Sequence, residues 1–452
     1  LFPAAAVHGY TATATARVRG DIVAQLNLTD PAVLVGDFDR PNLTYRVVPR
    51  EQDVLPQVLD ILSRHANEAG IIYCIRRKDV DELAGELRRR GVRALPYHAG
   101  LSPDARHAAQ EAFDAEECDV IVATVAFGMG IDRSNLRFVL HTAMPKSVEH
   151  YQQEAGRAGR DGLEAECVLL STMADFLTWK RIIERSAAEA EQPVDPAFVP
   201  EALRHLEDML RYCRTTICRH KALVEYFGQP FREEACGACD LCLQGVTTDP
   251  ESVVIAQKIL SCVARVKEGF GVNHVLDVLR GRNNLKVAKY RHEQLSTFGL
   301  LKTEGEAQLR DWVDQLIDQQ VLWIEQREQF TVLRLNASSW EVMRGTRPVR
   351  LVRTVRAGAV KRSKADAASW DGVDTELFEA LRGLRRQLAD ERRVPTYVIF
   401  SDATLRDMAR QRPTTSERLR QVHGVGEAKL ATFGEAFLSC ISAYCRQNGM
   451  PT

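Results

Sequence analysis

Between Asp53 and about Ile183 short apolar runs alternate with helical patterns, and few folds accommodate that order. The runs are Gly70–Cys74, Val92–Tyr97, Val120–Thr124, Phe138–His141 and Cys167–Leu170, with a charged helix from Lys78 to Arg90 between the first two. Strands without polar alternation are buried on both faces, so the pattern predicts a parallel sheet covered by helices on either side. In such sheets ligands bind in the loops at the carboxyl ends of the strands.

The flanking segments read differently. From Val7 to about Pro49 the chain reads as the tail of another α/β unit, too short to be a domain: a small-residue loop at Thr11–Thr15, a helix-like stretch Val18–Leu28 and a strand-like stretch Ala32–Asp37. Pro193–Pro200 breaks the alternation, and Glu201–Phe227 is helical in period, with Leu203, Leu206, Met209 and Leu210 on one face. From Ser252 to about Leu335 short helices lead into two strand-like runs, Val321–Gln326 and Phe330–Leu335, the order of a winged helix. Arg347–Lys364 carries Arg350, Arg353, Arg356, Lys361, Arg362 and Lys364 without apolar period and reads as an exposed linker. A helical domain follows from about Asp374 to Arg446.

At 452 residues the chain has material for roughly three domains. Lysine and arginine number 60 against 61 acidic residues, so net charge singles out no polyanionic partner, and a nucleic-acid surface must come from local clustering. No apolar run approaches the roughly 18 residues that span a bilayer, and Leu1-Phe2-Pro3 opens no signal pattern, so the expectation is a cytoplasmic protein with no membrane partner. Without an initiator Met, the numbering is expected to begin inside a longer reading frame.

Of eleven cysteines, four share metal-like spacing: Cys218, then Cys236-Gly-Ala-Cys239-Asp-Leu-Cys242, or Cys-x17-Cys-x2-Cys-x2-Cys. Four thiolates suit tetrahedral zinc, and a closed shell without an open position is structural, so one structural zinc is expected on Cys218, Cys236, Cys239 and Cys242. Cys213 is a rival first ligand by spacing. The other cysteines, such as Cys74 and Cys167, read as buried thiols.

The second cluster is Gln153-Glu-Ala-Gly-Arg157-Ala-Gly-Arg160-Asp-Gly162, two arginines three apart and so neighbours on one helical face. A guanidinium fork suits a γ-phosphate that sheds charge onto its oxygens. Taken alone, such a pair more often marks a surface helix held by salt bridges. Upstream, however, lie Tyr97-His-Ala-Gly-Leu101 after one strand and Thr124-Val-Ala-Phe-Gly-Met-Gly-Ile-Asp132 after another.

These segments, in this order, resemble motifs IV to VI of the second RecA-like lobe of RecQ-type DNA helicases, of superfamily 2. Thr11–Thr15 resembles motif III, Phe38-Asp-Arg-Pro-Asn42 the passage from lobe one into lobe two, and Cys218–Gly228 the helix carrying the first zinc ligand, which selects Cys218. Leu279–Lys286 and Gln294–Gly299 resemble the recognition helix and following loop of the winged helix, and the tail, with Leu419–Lys429, is similar to an HRDC domain.

The resemblance implies a multidomain α/β plus α chain: residues 1–49 as a remnant of lobe one, 50–190 as the RecA-like parallel-sheet lobe two, 191–246 as a helical zinc-binding module, 247–345 as the winged helix, 346–371 as a basic linker and 372–450 as an all-helical HRDC domain. It implies that Arg160 is an arginine finger, Arg157 a second phosphate contact and Gln153 a supporting polar group, while Asp132 and Thr124 couple nucleotide state to DNA grip. His98, Thr124, Asn284, Lys286 and Lys429 are the expected DNA contacts. The turn Gly424-Val-Gly426 can aim amides at a phosphate, or need glycine only for its dihedral angles, and His423 reads as a turn residue. The turn Arg327–Gln329 is a candidate strand-splitting wedge.

Two departures qualify the resemblance. Arg76 stands where the family more often has a small hydroxyl residue. No Gly-x-x-x-x-Gly-Lys-Thr and no Asp-Glu-x-His occurs, so the phosphate-cradling loop and the acidic group for Mg²⁺ are lacking. ATP and Mg²⁺ are therefore expected to bind only with the rest of lobe one, and the chain alone is expected to be ATPase-inactive. With lobe one it would unwind duplex DNA 3′ to 5′ in repair and recombination, on single-stranded and partial-duplex DNA. A single-stranded-DNA-binding protein and repair factors are expected partners, with a nucleoid location in a bacterium. The alternatives are a non-enzymatic DNA-binding protein and a subunit that completes its ATP site with another chain.

Overall fold

The computed structural model describes residues 7–450 apart from 12, 67, 126, 128–132, 191–194, 234, 245–246, 328–329 and 354–369. The chain divides into two compact units, one within residues 1–213, 219–240 and 362–452 and the other within 214–218 and 241–361.

The first unit opens with helix α1 (Ala16–Gln25), whose first turn is capped by the Thr15 hydroxyl accepting from the Val18 amide. Six strands follow with intervening helices: β1 (Leu43–Pro49), α2 (Leu55–Arg64), β2 (Ala69–Tyr73), α3 (Arg77–Arg89), β3 (Ala94–Tyr97), α4 (Pro103–Asp114), β4 (Val120–Ala123), β5 (Leu136–His141), α5 (Val148–Ala155), β6 (Ala165–Ser171) and α6 (Met173–Ala188). They form the expected parallel sheet, in the order β1-β6-β5-β2-β4-β3. Ile72, Val122, Leu140 and Val168 fill its core against Val80, Ala84 and Leu87 of α3. Gly70 is required where β2 meets β5, because a Cβ there would sit 2.2 Å from the Phe138 ring.

One reading before the sheet changes. Ala32–Asp37 forms no strand, and Leu34 is 94% exposed. A strand needs a hydrogen-bonded neighbour, and here the backbone turns to a side chain instead: Gln229 donates to the Gly36 carbonyl and accepts from the Phe38 amide. The strand comes later, as β1, which pairs in parallel with β6 from Leu43↔Ala165 to Pro49↔Ser171.

The stretch read as helical in period, Glu201–Phe227, forms two helices, α7 (Phe198–Arg214) and α8 (Arg219–Tyr226). Between them the Thr215 hydroxyl accepts from the Ile217 amide, a local bond that competes with helix continuation.

The second unit contains α9 (Asp240–Gln244) in part, then β7 (Thr247–Thr248), α10 (Ser252–Arg265), α11 (Val272–Arg280), α12 (Leu285–Lys289), α13 (Glu306–Asp318), the hairpin β8 (Leu322–Arg327) and β9 (Phe330–Leu335), α14 (Ala337–Met343) and β10 (Val352–Arg353). Trp312 is fully buried at its centre, among residues that include Leu260, Leu279, Leu316 and Leu333. The exposed-linker reading fails for the start of that segment. Leu351 and Val352 are buried, β10 pairs antiparallel with β7, and Arg353 bonds Asp249 and Glu304.

The tail returns to the first unit as α15 (Thr375–Arg392), α16 (Thr396–Ile399), α17 (Asp402–Gln411), α18 (Ser416–Gln421) and α19 (Glu427–Gln447), around Leu381, Phe400, Leu405, Met408, Phe437 and Ile441. Among the described residues no helix is long and apolar enough to cross a membrane.

Candidate functional site: the arginine turn and the four-cysteine cluster

The two arginines do not share a helical face. Helix α5 ends at Ala155, with Gly156 at its C-cap, and Arg157–Arg160 lie in the turn beyond it. Gly159 takes φ +56, a conformation that favours glycine, and its amide donates to the Leu136 carbonyl at 2.9 Å, tying the turn to β5. The carbonyls released by the helix end are collected by a second segment. Arg40 donates to Gly156, Ala158 and Gly159 at 3.2, 3.0 and 2.9 Å, and Asn42 donates to Gly159 and Leu163 at 2.9 and 2.7 Å.

Arg157 is half-buried and hydrogen-bonds the Tyr73 hydroxyl, which donates to the Phe127 carbonyl at 3.0 Å. Burial pushes the Tyr73 phenol well above its ordinary range, so it stays a neutral donor. Arg160 is exposed, and so is Gln153, whose amide donates to the Thr13 hydroxyl at 2.6 Å. The structure thus ties Gln153 and Arg157 to two other loops, those of Thr13 and Phe127. Asp132 lies outside the described residues.

Thr124 is half-buried at the end of β4, its amide donating to the Tyr97 carbonyl at the end of β3. His98 is buried beside it with both ring nitrogens engaged: Nδ1 accepts from the Gly100 amide at 3.1 Å, so Nε2 donates to Asp81 at 3.0 Å. That pairing shapes the loop and leaves no ring nitrogen for a phosphate. Arg76, the departure from the family pattern, pairs with Asp79 in the first turn of α3.

In the second unit Asn284 is spent on capping α12, its oxygen accepting from the Lys286 and Val287 amides and its nitrogen donating to Asp277. The Lys286 and Val287 amides at the start of α12 are therefore taken, while Lys286 is exposed with its ammonium 5.6 Å from the Phe270 ring centre. In the HRDC-like helices Lys429 is half-buried, 5.6 Å from the Phe400 ring centre, and burial lowers its pKa. Gly424 takes φ +83, and a Cβ there would lie 2.4 Å from the Thr404 hydroxyl, so conformation and space both require glycine. The residues at the wing turn, 328–329, lie outside the described set.

The sulfurs of Cys218, Cys236, Cys239 and Cys242 all lie within 4.8 Å of one another, and Cys213 is not among them. Tetrahedral zinc with Zn–S of about 2.3 Å sets sulfurs roughly 3.8 Å apart, so the donor set fits zinc in number, kind and spacing. The Ala238 amide donates to the Cys236 sulfur at 3.3 Å. Asp240 fastens this knuckle, accepting from Arg219 at 2.7 Å and from the Val47 amide at 2.9 Å.

Sequence reasoning missed Arg40, Asn42 and Asp240, because each serves backbone or charged groups more than a hundred residues away or inside a turn. The only signal was their position inside recognised segments.

A parallel-sheet lobe carrying an arginine turn, with a four-cysteine knuckle, a hairpin-bearing helical unit and a helical tail, defines the class as the carboxyl-terminal part of a RecA-like helicase. Family models agree along the chain: the helicase conserved C-terminal domain over residues 52–162, the RecQ zinc-binding domain over 173–243, the RQC domain over 251–359 and the HRDC domain over 374–441. The chain is 37% identical over 449 residues to the ATP-dependent DNA helicase RecQ of Pasteurella multocida, covering 98% of this chain and 68% of that one. It is 39% identical over 438 residues to the ATP-dependent DNA helicase RecQ of Bacillus subtilis, covering 96% and 70%. It is also similar to the RecQ-like DNA helicase BLM of Xenopus laevis, 31% identical over 484 residues. The chain belongs to the RecQ helicase family.

Proposed function

We propose that this chain is the DNA-engaging and arginine-finger portion of a 3′-to-5′ RecQ-type helicase acting in DNA repair and recombination, with ATP and Mg²⁺ held by a lobe one that supplies the phosphate loop. The observation that carries this reading is the arginine turn. Arg40 and Asn42 fix its backbone, and Gln153 ties it to Thr13 in the loop that resembles motif III. Such a mounting suits a guanidinium that must meet a γ-phosphate in one geometry. Arg160 is the finger, Arg157 the second phosphate contact, and Asp132 and Thr124 pass nucleotide state to the DNA path. Lys286 and Lys429 remain DNA contacts, with His98 and Asn284 acting through the loops they hold. One structural zinc occupies the four cysteines.

A second reading has its own support. Val33 and Leu34 are 57% and 94% exposed in an apolar run, the kind of surface that another sheet covers. A lobe one carried by a separate polypeptide would cover it equally well, making this chain a subunit. A non-enzymatic DNA-binding role needs no such cover.

The test is titration and turnover. The chain alone should bind single-stranded and partial-duplex DNA with an affinity that falls steeply with salt, since each neutralised phosphate releases counterions, and should hydrolyse no ATP. Fused to a family lobe one it should gain DNA-stimulated hydrolysis and unwind only substrates with a 3′ tail. Absence of DNA binding at low salt, or an inactive fusion that is folded, overturns the reading.

A further inference from the structure

The HRDC-like tail and the sheet lobe have separate hydrophobic cores, yet they meet through buried charge. At the centre is Glu116, in the turn after α4, with φ +61 and only 1% exposed. One carboxylate oxygen accepts from Asn135 of its own lobe at 3.0 Å, and from Thr396 at 2.7 Å and Arg385 at 3.2 Å of the tail. The other lies 3.8 Å from Arg386. Burial pushes the carboxyl up, but Arg385 and Arg133 more than offset it, so Glu116 is held below the usual carboxylate range and stays ionised. A second contact pairs Arg406 of α17 with Glu164, whose carbonyl accepts from Arg137. A cavity of about 60 Å³, lined by residues that include Arg133, Asn135, Thr396 and Ser401, adjoins the first contact and has room for water.

This contact is held by ion pairs and hydrogen bonds. Ion pairs taken out of water gain little net energy, since desolvation cancels most of the attraction. The tail side brings Arg385, Arg386 and Arg406 with Asp402, and the lobe side brings Glu116 and Glu164 with Arg133 and Arg137 close by, so three tail arginines are held by two lobe carboxylates. Guanidiniums that donate to these carboxylates suit phosphates by the same fork geometry.

We propose that docking on the sheet lobe masks a phosphate-binding face of the HRDC domain, Glu116 and Glu164 holding the arginines that DNA phosphates would otherwise engage. The proposal rests on the DNA-binding reading above. Docking and DNA capture by this face then exclude one another, and a single strand releases the domain by competing for Arg385, Arg386 and Arg406.

The test uses the full chain and the double variant Glu116→Gln, Glu164→Gln, with Asp104→Asn, Glu111→Gln on exposed α4 as a charge-matched control. Hydrogen exchange in residues 394–402 should be slow in the parent and the control, and at least about fivefold faster in the double variant and in the parent with excess oligothymidylate. Exchange within Glu427–Gln447 should stay slow throughout, showing that the domain remains folded. The double variant should bind oligothymidylate about fivefold or more tightly than the control. Equal exchange in parent and double variant overturns the ionic docking, and release without tighter binding than the control overturns the masking. If no form binds DNA, the functional reading fails with it, whereas DNA binding that is equal in all forms sinks the masking alone.

Discussion

Arg40 donates to the main-chain carbonyl of Gly159 at 2.9 Å, and that bond holds the arginine turn beneath a residue 119 positions earlier in the chain. Because α5 stops at Ala155, the carbonyls of Gly156, Ala158 and Gly159 have no helical donors, and one planar guanidinium serves all three. Arg40→Ala should cost about 1–3 kcal/mol in urea unfolding of the sheet unit, the usual penalty for acceptors left unmade, here the carbonyls of Gly156 and Ala158, since Asn42 still serves Gly159. Arg40→Lys should recover little of it, since an ammonium cannot span three acceptors in that plane. Full recovery by lysine would show that only charge matters there.

The four-cysteine cluster predicts one zinc per chain by elemental analysis of protein purified without chelator. Cys239→Ser should lose the metal and unfold the knuckle that Asp240 fastens to Val47, because metal binding is part of the folding free energy of such modules. Cys213→Ser should keep full zinc, as Cys213 lies outside the cluster. Retention of stoichiometric zinc by Cys239→Ser would refute this ligand set.

Stability should depend on pH through His65 and Glu166. Burial alone would lower the His65 pKa, but its bonds to Glu166 and Glu68 outweigh that and raise it to about 9. Glu166, buried yet bonded to His65 and flanked by Arg64 and Arg46, is lowered to about 2. A raised histidine stabilises fully below its unfolded value of about 6.5 and loses that stability as pH rises through 9. A depressed carboxyl stabilises above about 4.5 and loses it as pH falls toward 2. Thermal melts should therefore plateau between about pH 4.5 and 6.5 and decline toward pH 9. His65→Gln should flatten the alkaline limb, and an unchanged limb would remove His65 from the account.

How much of this was legible in the sequence depended on how far each partner lay along the chain. The central strands stood out because both faces are buried and the residues are apolar throughout, and the cysteine spacing was local. β1 was hidden because it carries polar side chains inside: Arg46 is buried only because Glu166, 120 positions on, pairs with it at 2.5 Å. Ala32–Asp37 looked like a strand because propensity says nothing of whether a neighbour exists. Arg353 looked like linker charge until its partners, Asp249 and Glu304, were in view. Asn284 was assigned to DNA by resemblance, while the amides of Lys286 and Val287, two and three residues on, claim it.

Gly424→Ala should destabilise the HRDC domain by about 1–2 kcal/mol, because left-handed backbone disfavours a Cβ and the Thr404 hydroxyl leaves no room for one. Gly426→Ala should be milder, since φ there is −85 and no atom lies within 4 Å. A chemical melt of the two variants checks the order. The reverse order would mean that the turn is held by something other than its dihedral angles.

The last prediction separates Arg157 from Arg160. Arg157 is half-buried against the Tyr73 hydroxyl, which in turn holds the Phe127 carbonyl, so removing it disturbs the sheet end as well as any phosphate contact. Arg160 is exposed at the far side of the same turn, which Arg40 and Asn42 hold by its backbone. In the protein fused to a family lobe one, Arg160→Ala should cut DNA-stimulated ATP hydrolysis by about 10³-fold or more, as fingers of this kind do in GTPases, while melting temperature and DNA affinity stay close to the parent. Arg157→Ala should lower both turnover and melting temperature. Arg160→Lys should remain impaired, because a point charge cannot reproduce the fork. Hydrolysis by Arg160→Ala at the parent's rate would leave Arg160 as a surface charge and pass the finger's role to another residue.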